Sequence, residues 1–244
     1  MGTSKEDTTD SDENIGKEIR TYYNERAEEY DEIYRGKGHS TLDSNLYLKD
    51  VTRTSEIASG FGGGHLLDIG CGTGLWLLSY YRNCSEITLL DQSEKMLKEC
   101  RKRVENLGLL NLTHFIQGDF LEVALEPSTF ECAFVGFLLS HFTVEQEKIF
   151  FLNLKSVLKS HGHLMVVDSA WNNERQEHAK KEGIQKRILN DGRTFSVYKR
   201  YFEKSDIERM CSRYNFNIKS FYIGKAFIVA ILEMLSRNIQ ISGC

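Results

Sequence analysis

The feature that most constrains this chain is a succession of short apolar runs alternating with helix-like patterns, which begins at "LLDIGCGTG", Leu66 to Gly74. Four strand-like residues there lead into a turn with glycine at 70, 72 and 74. Downstream, "EITLLD" (Glu86 to Asp91), "LTHFIQGD" (Leu112 to Asp119), "FECAFVGF" (Phe130 to Phe137) and "HLMVVD" (His163 to Asp168) read as further strands. Between them Ser93 is placed to cap a helix with Leu97, Cys100, Val104 and Leu107 on one face. Thr143 and Gln146 have capping-box spacing before the apolar run Ile149 to Leu158. Strands alternating with helices imply parallel pairing through helical crossovers, so the expected fold is an α/β sheet with helices on both faces.

The flanks read differently. "MGTSKEDTTDSDEN" carries five acids and one base without an aromatic residue, so residues 1–14 are expected to be a disordered acidic tail. From Ile15 to Tyr34 the pattern is helical, with Ile19, Tyr22, Tyr23, Tyr30 and Tyr34 among charges. Beyond Asp168 a charged segment, 169–202, contains the tight-turn signal Asp191-Gly192. Phe195, Val197, Lys199 and Tyr201 follow it on one strand face by two-residue alternation. Ser205 with Glu208 reads as a second capping box, opening a helix with Ile207, Met210 and Cys211. "FNIKSFYI" and "AFIVAILE" read as closing strands. No repeat or linker divides 15–244, so one domain is expected.

Composition narrows the partners. With 31 basic and 35 acidic residues the formal charge is −4, which lacks the cationic field that binding to nucleic acid needs. The six cysteines (Cys71, Cys84, Cys100, Cys132, Cys211, Cys244) show no C-x-x-C spacing. With no signal-peptide pattern, reduced thiols and a cytoplasmic location are expected. The longest apolar run, "AFIVAIL", is strand-sized and far short of the roughly 20 residues that span a bilayer. The histidines are dispersed and no cluster has metal-ligand spacing.

A strand, a glycine turn and a helix bring backbone amides and the positive end of a helix dipole to a ligand. A dinucleotide fingerprint, G-x-G-x-x-G, needs glycine at 75, where this chain has Leu75. That disfavours a nicotinamide-dependent oxidoreductase. "LLDIGCGTG" instead resembles the first motif of class I S-adenosylmethionine-dependent methyltransferases, in its D-x-G-x-G-x-G form. Asp91 stands where that family places an acid on the ribose hydroxyls. "QGDF" resembles its Gly-Asp step, with Asp119 on the adenine amino group and the Phe120 amide on the ring nitrogen. "LKSHGHLMVVD" resembles its L-x-P-G-G-x-L pattern, with Ser160 for proline and His161 for the first glycine.

The resemblance covers about Leu66 to Asp168 and implies a doubly wound, Rossmann-like, mostly parallel sheet of seven strands, the last antiparallel, with a small cap. It implies S-adenosylmethionine as cofactor, held by Asp68, Gly70, Cys71, Gly72, Thr73, Gly74, Asp91, Gln92, Met96, Gly118, Asp119, Phe120 and Phe137. Menaquinone-type and sugar-amine methyltransferases, which the N-terminal segment resembles, close an aromatic helix over the donor. Residues 15–60 are accordingly expected as a lid, with Tyr22 and Tyr30 contacting donor or methyl group, or else as packed core aromatics. The single proline, Pro127, excludes the N-P-P-Y or D-P-P-Y motif of base- and glutamine-modifying enzymes and a Pro-Cys nucleophile, which favours a small-molecule acceptor.

Methyl transfer from a sulfonium is an in-line displacement, so the protein supplies chiefly proximity, alignment and water exclusion. A base is needed only for a protonated nucleophile. His141, in the segment after the fourth strand, is the candidate base or positioning group, with a loop hydrogen bond as the alternative role. Lys199, with Arg193 and Tyr201, either binds an acidic substrate group within the cap 169–202 or carries its charge out to solvent. A donor-binding regulatory protein without turnover fits the same motifs.

Overall fold

The computed structural model describes residues 6–35, 37, 42–177 and 179–236. In chain order its elements are α1 (Glu6–Arg26), a 3-10 turn (Tyr30–Arg35), α2 (Ser44–Ser59), β1 (His65–Ile69), α3 (Leu77–Tyr80) and β2 (Glu86–Asp91). Then come α4 (Glu94–Asn106), β3 (Thr113–Gln117), β4 (Phe130–Gly136), α5 (Val144–Val157), β5 (Leu158–Ser169) and α6 (Asn173–Gln176). The chain continues through β6 (Glu182–Ile188), β7 (Thr194–Arg200), α7 (Lys204–Tyr214), β8 (Phe216–Ile223) and β9 (Phe227–Met234).

Seven strands form one sheet in the order β3-β2-β1-β4-β5-β9-β8. The pairs β1–β2, β2–β3, β1–β4 and β4–β5 are parallel, while β9 runs antiparallel to β5 and to β8. This is the expected doubly wound sheet with its last strand antiparallel. The strand order reverses between β1 and β4, and such a switch point leaves a crevice at the carboxyl ends of the strands.

Both faces of the sheet are buried, so its central strands are apolar throughout rather than alternating. Leu67, Ile69, Ala133, Val135 and Val166 pack under Phe150, Phe151 and Leu154 of α5 and Ile207 and Met210 of α7. Leu66, Leu89, Phe134, Met165 and Val167 face the opposite side, with Leu77 and Tyr80 of α3 and Cys100 and Val104 of α4. Each large apolar side chain so buried contributes about 1.5–3 kcal/mol. A satellite cluster of Ile19, Tyr22, Leu189 and Val197 joins α1 to the β6–β7 hairpin.

The caps of α4 and α5 fall where expected: Met96 N donates to Ser93 Oγ at 3.2 Å, and Thr143 and Gln146 exchange bonds of 2.9 and 3.3 Å. The hairpin turns at Asp191-Gly192 as expected, with Gly192 at φ 88°. Three expectations need correction. The helix α7 opens at Glu203, whose amide donates to Asp206 Oδ2 at 2.9 Å, so the box lies two residues before Ser205 and Glu208. Ser205 Oγ instead donates to Glu203 Oε1, and Glu208 pairs with Lys204. The helix α1 begins at Glu6, inside the stretch expected as a tail; residues 1–5 of that stretch and Cys244 lie outside the described residues. Finally, β5 reaches back to Leu158, and His161 within it has φ 61°, the left-handed conformation that glycine adopts without strain.

Candidate active site

The crevice at the switch point is lined by Gly70 and Gly72 after β1, Asp91, Gln92 and Met96 after β2, and Gly118, Asp119 and Phe120 after β3. Phe137 and His141, after β4, complete this wall, and Ile19, Tyr23 and Tyr30 of the N-terminal segment cross over it. The parallel register explains the convergence. Asp68 pairs beside Leu89, Ile69 beside Leu90, and Asp91 beside Gln117, so every strand ends on the same rim.

The turn is held by the acid of the next strand. Asp91 Oδ2 accepts from Gly72 N and Oδ1 from Ser93 N, both at 2.8 Å. Burial pushes Asp91 up from 3.8 to about 6, against the pull of the Ser93 and Gly72 amides. Gly72 sits at φ 54°, and a Cβ there would lie 3.6 Å from the Tyr30 ring. That is ordinary contact distance, so it is the left-handed backbone rather than crowding by Tyr30 that calls for glycine here. Asp119 Oδ1 accepts from Leu121 N at 2.9 Å, which fixes its carboxylate at the rim.

Four residues expected at the cofactor stand behind the wall. Asp68 is buried beneath the turn, bonded through Oδ2 to the Tyr80 hydroxyl, while its Oδ1 has no partner. Burial raises it from 3.8 to about 7 despite the Tyr80 bond. Gly74 (φ 72°) serves packing, since a Cβ would stand 2.7 Å from Cys100 Sγ on α4. Thr73 Oγ1 donates to Asp31 at 2.6 Å, and Arg103 bridges Asp31 and the Thr73 carbonyl. This clamp ties the N-terminal segment to the glycine turn. Cys71 is buried and free.

His141 is buried, with Nδ1 2.7 Å from the Tyr198 carbonyl and Nε2 2.6 Å from the Tyr23 hydroxyl. A carbonyl only accepts, so Nδ1 carries the proton and Nε2 accepts from Tyr23. Burial, then Lys199, holds His141 well below its usual value, and burial pushes Tyr23 up, so both are neutral near pH 7. The tyrosine at this histidine is Tyr23. Tyr22 is buried against Phe195 and stays out of the crevice. Tyr23 lies near the end of α1 and Tyr30 opens the 3-10 turn that follows, so the bend after Arg26, rather than one helix face, brings the two together. Their rings lie 6.1 Å apart.

A second cavity, about 690 Å³, lies between α1, the β6–β7 hairpin and the end of β5. Tyr23, Tyr30, Phe137 and His141 line both spaces. Phe137 holds a left-handed φ of 56° to do so, a strained conformation of the kind that functional sites retain. Lys199 and Tyr201 line this cavity. Lys199 does not reach solvent: it is buried, 2.5 Å from Ser140 Oγ and 3.4 Å from Asp168 Oδ1. Burial lowers Lys199 and Asp168 opposes that shift. Arg193 is turned away and exposed, paired with Asp191 and Glu25. Arg26, Arg175 and Arg187, none of them among the candidate substrate residues, line the cavity instead.

An open parallel sheet with this strand order, a D-x-G-x-G-x-G turn on β1 and acids ending β2 and β3 defines the class I methyltransferase architecture. Residues 66–162 match the family profile described as "Methyltransferase domain". The chain is 30% identical over 126 residues to the ubiquinone/menaquinone biosynthesis C-methyltransferase of Blochmanniella floridana, covering 50% of this chain and 48% of that one. It is 30% identical over 106 residues to the phosphatidylethanolamine N-methyltransferase of Cereibacter sphaeroides, covering 43% and 51%. The chain thus spans about half the length of the curated relatives it matches. In fold it resembles the protein of the DhpI-SAH complex, with TM-score 0.71, 20% identity, and coverage of 91% of this chain and 98% of that one. The [4+2]-cyclase SpnF shares the fold as well, with TM-score 0.59, 14% identity, and coverage of 78% and 82%. One architecture thus serves more than one chemistry, and activity has to be argued from the site. Among the described residues, no helix is long and apolar enough to cross a membrane, and no group of three or more His, Cys, Asp or Glu could hold a metal ion.

Proposed function

We propose that this chain binds S-adenosylmethionine in the crevice and transfers its methyl group to an oxygen, nitrogen or carbon of a small molecule in the adjoining cavity. The observation that carries this reading is the shared wall: Tyr23, Tyr30, Phe137 and His141 separate a crevice bearing the donor motifs from a cavity of metabolite size. The residues fit the cofactor. Asp91 keeps free lone pairs for two ribose hydroxyls, Asp119 accepts from an adenine amino group, and the Gly70–Gly72 backbone leaves room for the methionine end. Unpartnered Asp68 Oδ1 leaves a buried oxygen acceptor beneath that end. When bound, the sulfonium supplies an electrophilic methyl and a neutral thioether leaving group.

The protein's part is alignment and proton handling. Tyr30 and Phe137 shape the passage between the two spaces, and the Thr73–Asp31–Arg103 clamp holds the N-terminal segment closed over the turn. For an acceptor that enters as O–H or N–H, Tyr23 takes the proton as its own passes to His141 Nε2. The Tyr198 carbonyl keeps the imidazole in the tautomer that can receive it, and the resulting imidazolium returns the proton to solvent when the lid opens. The lid (15–60) and the cap (169–202) act together, since α1 packs on β7.

The test pairs binding with turnover. Titration should show S-adenosylhomocysteine binding, and protein incubated with methyl-labelled donor and a metabolite extract should pass the label to a small molecule. His141→Ala should cut turnover by about 10²–10⁴-fold while S-adenosylhomocysteine affinity stays within threefold. Label that never leaves the donor would overturn the enzymatic reading in favour of a donor-binding regulator.

A further inference from the structure

The second cavity has an unbalanced charge inventory. Several other arginines meet carboxylates: Arg103 with Asp31, Arg193 with Asp191 and Glu25, Arg200 with Glu147, Arg209 with Asp206. Arg26, Arg175 and Arg187, which line the cavity, have no carboxylate partner among the described residues. Arg26 donates to the Tyr22 hydroxyl at 2.9 Å and lies over the Tyr22 and Tyr30 rings. Arg175 is 4% exposed, spends Nη2 on the Ala226 carbonyl at 3.0 Å, lies 4.7 Å from the Tyr201 ring centroid, and leaves Nε without a partner. Arg187 donates from Nη2 to Gln185 Oε1 at 2.9 Å. That oxygen also accepts from the Tyr201 hydroxyl at 3.0 Å, and Gln185 Nε2 is left buried without a partner.

The acids on the same wall are already engaged. Glu29 and Glu32 accept from Asn190, and Glu182 from the Tyr198 hydroxyl. Lys199 is neutralised by Asp168, which leaves the guanidinium groups unanswered. A guanidinium cannot shed its proton to escape burial, and an unpaired charge away from water is costly. Evolution of a stable fold would favour a carboxylate here unless one arrives with the ligand. The field registers on Tyr201: burial alone would raise its hydroxyl, yet Lys199, Arg175 and Arg187 bring it below its ordinary value.

We propose that the acceptor carries an acidic group, a carboxylate or a phosphoryl, and that Arg175, Arg187 and Gln185 Nε2 hold that group in the second cavity. The inference rests on the methyltransferase reading for what happens next: the held acid is the recognition handle, and the atom that receives the methyl lies at the Tyr23–His141 boundary. Planar guanidiniums and a free amide NH₂ match the paired oxygens of either acid. The metabolite-sized cavity and the chain's net charge of −4 suit a small acid rather than a polyanion.

The experiment titrates benzoate, phenylphosphonate and neutral benzyl alcohol into protein saturated with S-adenosylhomocysteine. At least one acid should bind, benzyl alcohol should bind at least tenfold more weakly, and acid affinity should fall as sodium chloride is added. The tighter of the two acids assigns the group as carboxylate or phosphoryl. Arg187→Gln, on the partly exposed hairpin, and Arg175→Gln should each weaken acid binding roughly tenfold or more while leaving S-adenosylhomocysteine affinity unchanged. Equal binding of benzyl alcohol, no binding of either acid, or acid affinity indifferent to both substitutions would overturn the proposal. If S-adenosylhomocysteine itself fails to bind the wild type, the methyltransferase reading falls. The acid titration repeated without it then judges the anion site alone.

Discussion

Replacing Asp91 by Asn tests the donor crevice at its centre. The carboxylate accepts Gly72 N and Ser93 N at 2.8 Å each and still faces the crevice. Asn keeps the shape but presents an NH₂ to one of those two amides, and it removes the charge that strengthens bonds to ribose hydroxyls. Charge-assisted hydrogen bonds contribute about 1.5–3 kcal/mol each, so two of them correspond to about two to four orders of magnitude in Kd. Calorimetric titration with S-adenosylhomocysteine measures this, with thermal melting alongside to show that the variant is folded. The same site sets a pH dependence. Burial raises Asp91 from 3.8 to about 6. Because the folded-state value lies above the unfolded one, ionising the group costs the free protein stability as pH climbs between those values. Ligand binding needs the ionised form, so affinity should be flat above about pH 6 and weaken about tenfold per unit below it. Asp91→Asn should lose that slope. A folded variant whose Kd moves less than threefold, or a wild type with no slope below pH 6, would refute the reasoning.

Further outcomes follow from the same geometry. Asp168→Ala leaves Lys199 buried against Ser140 without its counter-charge and should cost about 3–5 kcal/mol in denaturant unfolding; Asp168→Ala with Lys199→Met should recover part of it. Tyr23→Phe should lower kcat on an O–H acceptor, whereas Tyr22→Phe, which loses only the bond from Arg26 at the second cavity, should leave kcat at saturating donor and acceptor little changed and act on acceptor KM. His161→Gly relieves a left-handed φ of 61° at an exposed position and should raise Tm by about 1–4 °C. Gly74→Ala meets Cys100 Sγ at 2.7 Å from a left-handed backbone and should destabilise by about 1–3 kcal/mol, of which Cys100→Ala should return only the steric share.

Much of this molecule was legible in one dimension. The sheet, its parallel order and the antiparallel last strand follow from periodicity and from motifs spaced by whole βα units, because each crossover must return the chain to the same rim. Gly72, Asp91, Asp119 and Phe120 were readable for the same reason: they end successive strands, and parallel pairing brings such ends together. Local signals failed where alternatives were nearly equal. Ser205–Glu208 and Glu203–Asp206 offer similar capping chemistry two residues apart, and packing of Ile207 and Met210 on the sheet selects the register.

Contacts between segments far apart in the chain were decided only by the folded structure. Nothing local separates Tyr22 from Tyr23, yet a rotation of about 100° per helical residue puts one in a satellite core and the other on His141. The alternation in β7 placed Lys199 and Tyr201 on the inner face, but Asp168, from the sheet core, determines that Lys199 stays buried rather than reaching water. Arg26, Arg175 and Arg187 come from α1, the short helix α6 after β5 and a hairpin strand. Their charges meet without carboxylates only because α1 and the hairpin close over one cavity. Composition and period record what each segment buries, whereas the pairing of charges across segments is a property of distance, and distance exists only once the chain has folded.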